Sequence, residues 1–215
     1  MKTEALVKLR EYWETLRDGR SAPYRAELDP RKFEDVLENM FILEQLNPAQ
    51  MRVRLAGMAL CEMMGMEVRG MPPEAFIAAA DRADFGQHVQ TVLSGPAVVE
   101  LDLLARDITG TAMRGQMLML PLRSDFGEVT RILGCVMTER MAMRTPVAFS
   151  ILSHRISMVH ASVADGGSGS LPGFAEPAAR FCGQNDTPAL RAVVSNPDPV
   201  STGRRIGHLK VVSGG

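Results

Sequence analysis

Few residues of this chain carry chemistry by type and spacing alone. The four histidines are His88, His154, His160 and His208. Of these, only His88 falls inside the patterned stretch that reads as a core domain. His154 and His160 stand six residues apart, which does not place them on one helical face, so no triad can be built around them. The chain has no G-x-S-x-G nucleophile turn, no glycine-lysine phosphate loop and no H-E-x-x-H helix. The three cysteines, Cys61, Cys135 and Cys182, are odd in number and far apart, with no C-x-x-C pair. That argues against a zinc site and fits a reducing, cytoplasmic compartment. The arginines remain. Arg52, Arg54 and Arg69 flank one apolar stretch and have the forked donors of an anion or carboxylate clamp. The plainer reading is a solvated strand face. Arg17, Arg20 and Arg25 offer similar chemistry to a phosphate.

Bulk properties narrow the classes further. The 215 residues are 46% hydrophobic with a formal net charge of −1, so the chain can build a core and has no global field to attract nucleic acid or an anionic membrane. No apolar run is long enough to span a bilayer, and the N-terminus is a charged amphipathic segment rather than a signal peptide. Fifteen methionines against one tryptophan and two tyrosines read as a Met-rich core, or as an adaptable pocket or partner surface.

The elements that would position a site can be read from periodicity. Residues 4–17 form an amphipathic helix with Leu6, Leu9, Trp13 and Leu16 along one face. Asp29-Pro30 starts a second helix, to about residue 39. Two strands, 41–46 and 51–56, form a hairpin around the turn at 47–50. Gly57 lets the chain turn into a short Met-rich helix that Gly65 ends. A helix over 82–93 carries His88 at the border of its apolar face. Three strands follow, 98–106, 113–122 and 129–138. The second and third are apolar on both faces and therefore need cover on both. Residues 147–159 read as a further strand or a helix. From 162 the chain is rich in Gly, Ser and Pro and reads as a flexible tail, with alternation returning at 204–212 as a candidate docking segment.

Strand, glycine, short helix, glycine, then arginine and glycine is an order that resembles the entry of a PAS domain. The matching residues are Arg52-Val-Arg-Leu-Ala-Gly57, Leu60-Cys61, Gly65 and Arg69-Gly70. Ahead of them, Trp13, Leu16-Arg17, Arg20, Pro23, Arg25 and Asp29-Pro30 resemble the leader of a bacterial family of small stand-alone PAS-type proteins. The resemblance covers roughly residues 8–140. It implies an α+β fold, with a PAS-like five-stranded antiparallel sheet and helices of residues 56–93 on one face. The chain then divides into an N-terminal helix and connector (1–24), a PAS-like domain (25–140), a C-terminal extension (141–161) and a tail (162–215).

The resemblance also implies a function: a non-enzymatic sensory or regulatory module of cytoplasmic signalling that binds a small molecule or a partner protein. Its cavity would lie between sheet and helices, lined by Leu55, Met58, Cys61, Met64, Phe76, His88, Leu101, Leu103, Met117 and Met119. The cofactor, if any, is unknown. In haem-binding members the proximal histidine sits on the corresponding long helix, which makes His88 a candidate iron ligand. No motif for a flavin is present. A small enzyme using the pocket for acid–base chemistry is the reading from another class. The stripe Leu6, Leu9, Trp13 and Leu16 is expected to join two copies into a homodimer; the competing arrangement folds that helix back on its own sheet.

Overall fold

The two doubly apolar strands set the architecture. A computed structural model describes residues 2–139 and 144–162. The expected tail and the 204–212 segment lie outside the described residues. By its contacts the chain divides into Met1–Gly169 and Ser170–Gly215, and everything described belongs to the first unit. The element order is α1 (Lys2–Arg17), β1 (Met40–Asn47), β2 (Gln50–Ala56), α2 (Met58–Met64), α3 (Arg82–Ser94), β3 (Ala97–Arg106), β4 (Ala112–Arg123), β5 (Val129–Thr138) and β6 (Ala148–Met158). The strands form one six-stranded antiparallel sheet in the order β2-β1-β5-β4-β3-β6.

The doubly apolar strands β4 and β5 lie at the centre, and two layers cover them. On one face α2, α3 and the short 3-10 turns Pro73–Phe76 and Ala79–Asp81 bury Leu60, Met63, Phe76, Phe85, Val89 and Val92. These pack against Phe41, Leu43, Leu101, Leu103, Met117, Met119 and Val136 of the sheet. On the other face α1 and the 3-10 segment Pro30–Asn39 bury Leu9, Trp13, Phe33 and Val36. Their partners are Met40, Ile42, Leu118, Leu120, Leu122, Leu133 and Cys135. Burial pushes the Cys135 thiol up to about 12, so it packs as an apolar group.

Trp13 fixes this second layer. Its ring is fully buried, and its Nε1–H donates to the Pro121 carbonyl at 2.9 Å. The connector is pinned as well. Tyr12 packs at a tilt against Phe33 with ring centres 5.6 Å apart and accepts from the Asp29 amide at 2.9 Å. Arg20 donates to the carbonyls of Leu16 and Arg17 at the end of α1 and reaches Glu27 at 2.9 Å. Arg17 pairs with Glu14 and donates to the Arg20 carbonyl. The arginines read above as phosphate binders therefore include two, Arg17 and Arg20, that close a helix end.

Four expectations change. The sheet has six strands, not five, because 148–158 continues it beyond β3. A bulge explains why that stretch did not alternate: Leu103 faces Ile151 and Asp102 faces Ser153, which leaves Leu152 over. The segment after Asp29 is a 3-10 helix kinked at Phe33 rather than a regular helix. Gly57 has ordinary extended φ of −74°. It is glycine because of a close approach, since a methyl there would stand 2.3 Å from the Glu38 carbonyl oxygen. Finally, α1 docks on its own sheet, so Leu9 and Trp13 of the expected dimer stripe are buried within one chain. Gly134 reflects similar crowding: an added Cβ would lie 2.0 Å from the Phe41 ring.

Trp13→Ala should cost about 3–5 kcal/mol of unfolding free energy, the range for truncating a large buried aromatic side chain. Urea denaturation of both proteins measures it. A loss below about 1 kcal/mol would mean that α1 is not docked as described.

Candidate functional site

A single helix cannot cover a six-stranded face. α1 packs over the middle strands, in contact with β4 and β5, and the half of that face formed by β3 and β6 stays open beside it. The result is a cleft of about 870 Å³. Leu6, Val7, Arg10, Glu14 and Arg17 of α1 form one wall. Glu100 and Asp102 of β3, Gln116 of β4, and Ser153, Arg155 and Ser157 of β6 contribute the rest. Strand alternation explains the polar floor: Val99, Leu101 and Leu103 point into the helical core, so Glu100 and Asp102 must point into the cleft.

The floor carries two charge clusters. Glu100 pairs with Arg10 from α1 and with Arg155 from β6, the latter at 3.3 Å. Asp102 accepts from the Ser153 hydroxyl at 2.6 Å and from Gln116 Nε2 at 3.2 Å. Those two hydrogen bonds, that from Ser153 foremost, hold the Asp102 carboxyl below its ordinary range. The Ser153 hydroxyl is thus held by the Asp102 carboxylate, and the floor of the cleft is polar and charged.

The expected pocket lies on the opposite face of the sheet, and the structure gathers much of it. Met64, Phe76, Leu101, Leu103, Met117 and Met119 meet there, packed into one continuous core. Cys61 is half-buried at its margin. Leu55 and Met58 leave the group, exposed at 46% and 65%. A bulge between the pairs Leu43–Val53 and Ile42–Leu55 turns Leu55 off the core face. Met58 opens α2, whose buried positions are Ala59, Leu60, Met63 and Met64. His88 is buried on α3, and its ring is covered by that of His154, with centres 4.7 Å apart. The His154 imidazole thus lies against the residue expected as a haem ligand. Burial, then the His154 charge, lower its pKa against the opposing pull of Asp84.

The arginine clamp is not assembled as expected. Arg52 pairs with Glu44 across the β1–β2 ladder at 2.8 Å, and Glu44 also meets Arg131 at 3.5 Å. Arg54 and Arg69 are exposed. Of the expected interface stripe, Leu6 and Leu16 are half-buried at the edge of the α1 layer, and Leu6 also lines the cleft. The sequence reading missed Arg10, Glu100, Asp102, Ser153 and Arg155. The available signal was the acidic pair at alternate positions of one strand, which marks a polar face but does not say what lies over it.

The chain belongs to the PAS domain family, whose model matches residues 1–137. Among solved structures it is similar to the light-state form of the blue-light photoreceptor Aureochrome1 LOV, with 14% identity and a TM-score of 0.40, covering 50% of this chain and 85% of that one. The Rhodobacter sphaeroides LOV protein matches at 15% identity and a TM-score of 0.39, over 52% of this chain and 69% of that one. Vibrio cholerae VqmA matches at 18% identity and a TM-score of 0.37, over 53% of this chain and 52% of that one. No curated protein matches the sequence. Among the described residues, no helix is long and apolar enough to cross a membrane.

The Glu44 network gives a signed pH effect. The hydrogen bond from Arg52 is the chief cause holding the Glu44 carboxyl below its ordinary 4.5. Its stabilisation is therefore full above that value and is lost as pH falls through the lowered folded value. Glu44→Gln should lower stability at pH 7 by about 0.5–1 kcal/mol. The gap from the parent should close in acid, as thermal melts at several pH values would show. A gap that persists unchanged well below 4.5 would contradict the pairing.

Proposed function

We propose that this chain is a non-enzymatic sensory or regulatory module of cytoplasmic signalling, and that it works by engaging a partner protein at the cleft between α1 and the β3–β6 half of the sheet. One contrast carries the reading: the helical side of the sheet is a packed apolar core with a hollow of about 450 Å³ at its rim by α3, whereas the cleft on the α1 side measures about 870 Å³. PAS domains are typically sensory and non-enzymatic, and they commonly mediate dimerisation or partner binding. The cleft suits a protein partner because its walls combine the half-exposed Val7 with the paired charges of Arg10, Glu100 and Arg155. Such charges set specificity and encounter rate more than raw affinity. A homodimer would use surface other than Leu9 and Trp13. The small-molecule reading is retained as the competing one, and it predicts a bound metabolite.

Native mass spectrometry of the purified full chain separates the two. The expected mass is that of the chain or a whole multiple, with no stoichiometric small molecule released on denaturation. A released metabolite, present in wild type and in Glu100→Arg alike, would overturn the partner reading. In parallel, a protein retained by the immobilised wild type should be lost on Glu100→Arg, whose circular dichroism should be unchanged. Equal retention would remove the cleft as the contact surface.

A further inference from the structure

Two histidines distant in sequence meet beside the helical core. His88 comes from α3 and is 8% exposed. His154 comes from β6, where it pairs with Leu101 in the ladder and stands exposed. Their ring centres are 4.7 Å apart and their planes are inclined by 50°. Among the described residues, neither imidazole has a protein hydrogen-bond partner, and their ring nitrogens remain open to water. Two adjacent imidazoles with water-accessible nitrogens invite a reason for their pairing.

The geometry supplies one. Metal–imidazole bonds are about 2.0–2.1 Å, so two imidazoles sharing one tetrahedral ion have ring centres roughly 5 Å apart. The observed separation matches, and the inclination, unlike face-to-face stacking, lets ring-edge nitrogens turn to a common point. Neutral imidazole is the ligating form, and burial of His88 favours it. Asp84 lies one helical turn before His88, near enough for its charge to act on that ring.

We propose that His88 and His154 form a two-imidazole site for a divalent transition metal that prefers nitrogen ligands, such as Zn²⁺, Ni²⁺ or Cu²⁺. No third His, Cys, Asp or Glu among the described residues completes a set, so water fills the remaining positions and the ion stays open to exchange. Bound there, it clips α3 to the edge strand β6, whose other face floors the cleft. The inference stands apart from the partner reading, and neither depends on the other.

The test uses the full chain and the bare ions. Zn²⁺ should raise the melting temperature in a dose-dependent way. Titration with Cu²⁺ should give an electron paramagnetic resonance spectrum with coupling to two nitrogens. His154→Ala, at an exposed position, should fold normally, weaken Zn²⁺ binding at least tenfold and reduce the coupling to one nitrogen. His160→Ala and His208→Ala should leave both readouts as in wild type. The proposal is overturned if wild type shows no ion-dependent shift. It is equally overturned if His154→Ala keeps the wild-type affinity, or if the signal is lost with His160→Ala or His208→Ala.

Discussion

Everything described here follows from a sheet whose central strands are apolar on both sides. Along β4, Met117 and Met119 belong to one core, and Leu118, Leu120 and Leu122 to the other. Neither face can be left to water, so the chain must supply two covering layers. The PAS helices provide one. The other comes from α1 and the 3-10 segment before β1, anchored by Trp13 through the Pro121 carbonyl. A proline in a central strand contributes no ladder donor, and the tryptophan gives its carbonyl a partner from outside the sheet. The leader of this chain is therefore a structural layer of the domain.

The cleft is the remainder of that solution. A helix with its side chains is about 10–12 Å across, enough for the middle strands and too narrow for β3 and β6 as well. The face left over had to be polar, and β3 and β6 make it so with Glu100, Asp102, Ser153 and Arg155. These charges are mostly matched to each other, Glu100 by two arginines and Asp102 by two neutral donors. A matched floor can exchange its internal pairs for a partner's charges without stranding a lone ion in a dry site.

Much of this was legible from residue order. The β1–β2 hairpin, the helical middle, the three following strands and the alternation of Leu101 and Leu103 against Glu100 and Asp102 all appear as the periodicity indicates. What escaped the reading has local physical causes. Bulges at Arg54 and Leu152 invert alternation for every residue beyond them, which left β6 open between strand and helix and sent Leu55 to the surface. The stripe on α1 announced that something would bury it, but an amphipathic face carries no label for its partner, and the same four residues describe a fold-back and a dimer equally well. The cleft was invisible for a similar reason: it is defined by what α1 fails to cover. The His88–His154 contact depends on the register of β6, which no pattern in the sequence fixed.

A single copy of the chain covers both faces of its own central strands, with α1 in the second layer. The chain has one tryptophan, and it is the residue that anchors the second layer, so its fluorescence reports on that arrangement alone. Trp13 should show blue-shifted emission with little quenching by acrylamide, unchanged on dilution to concentrations at which light scattering shows one chain per particle. Red-shifted, readily quenched emission from the monomer would contradict it and return α1 to the role of an interface helix.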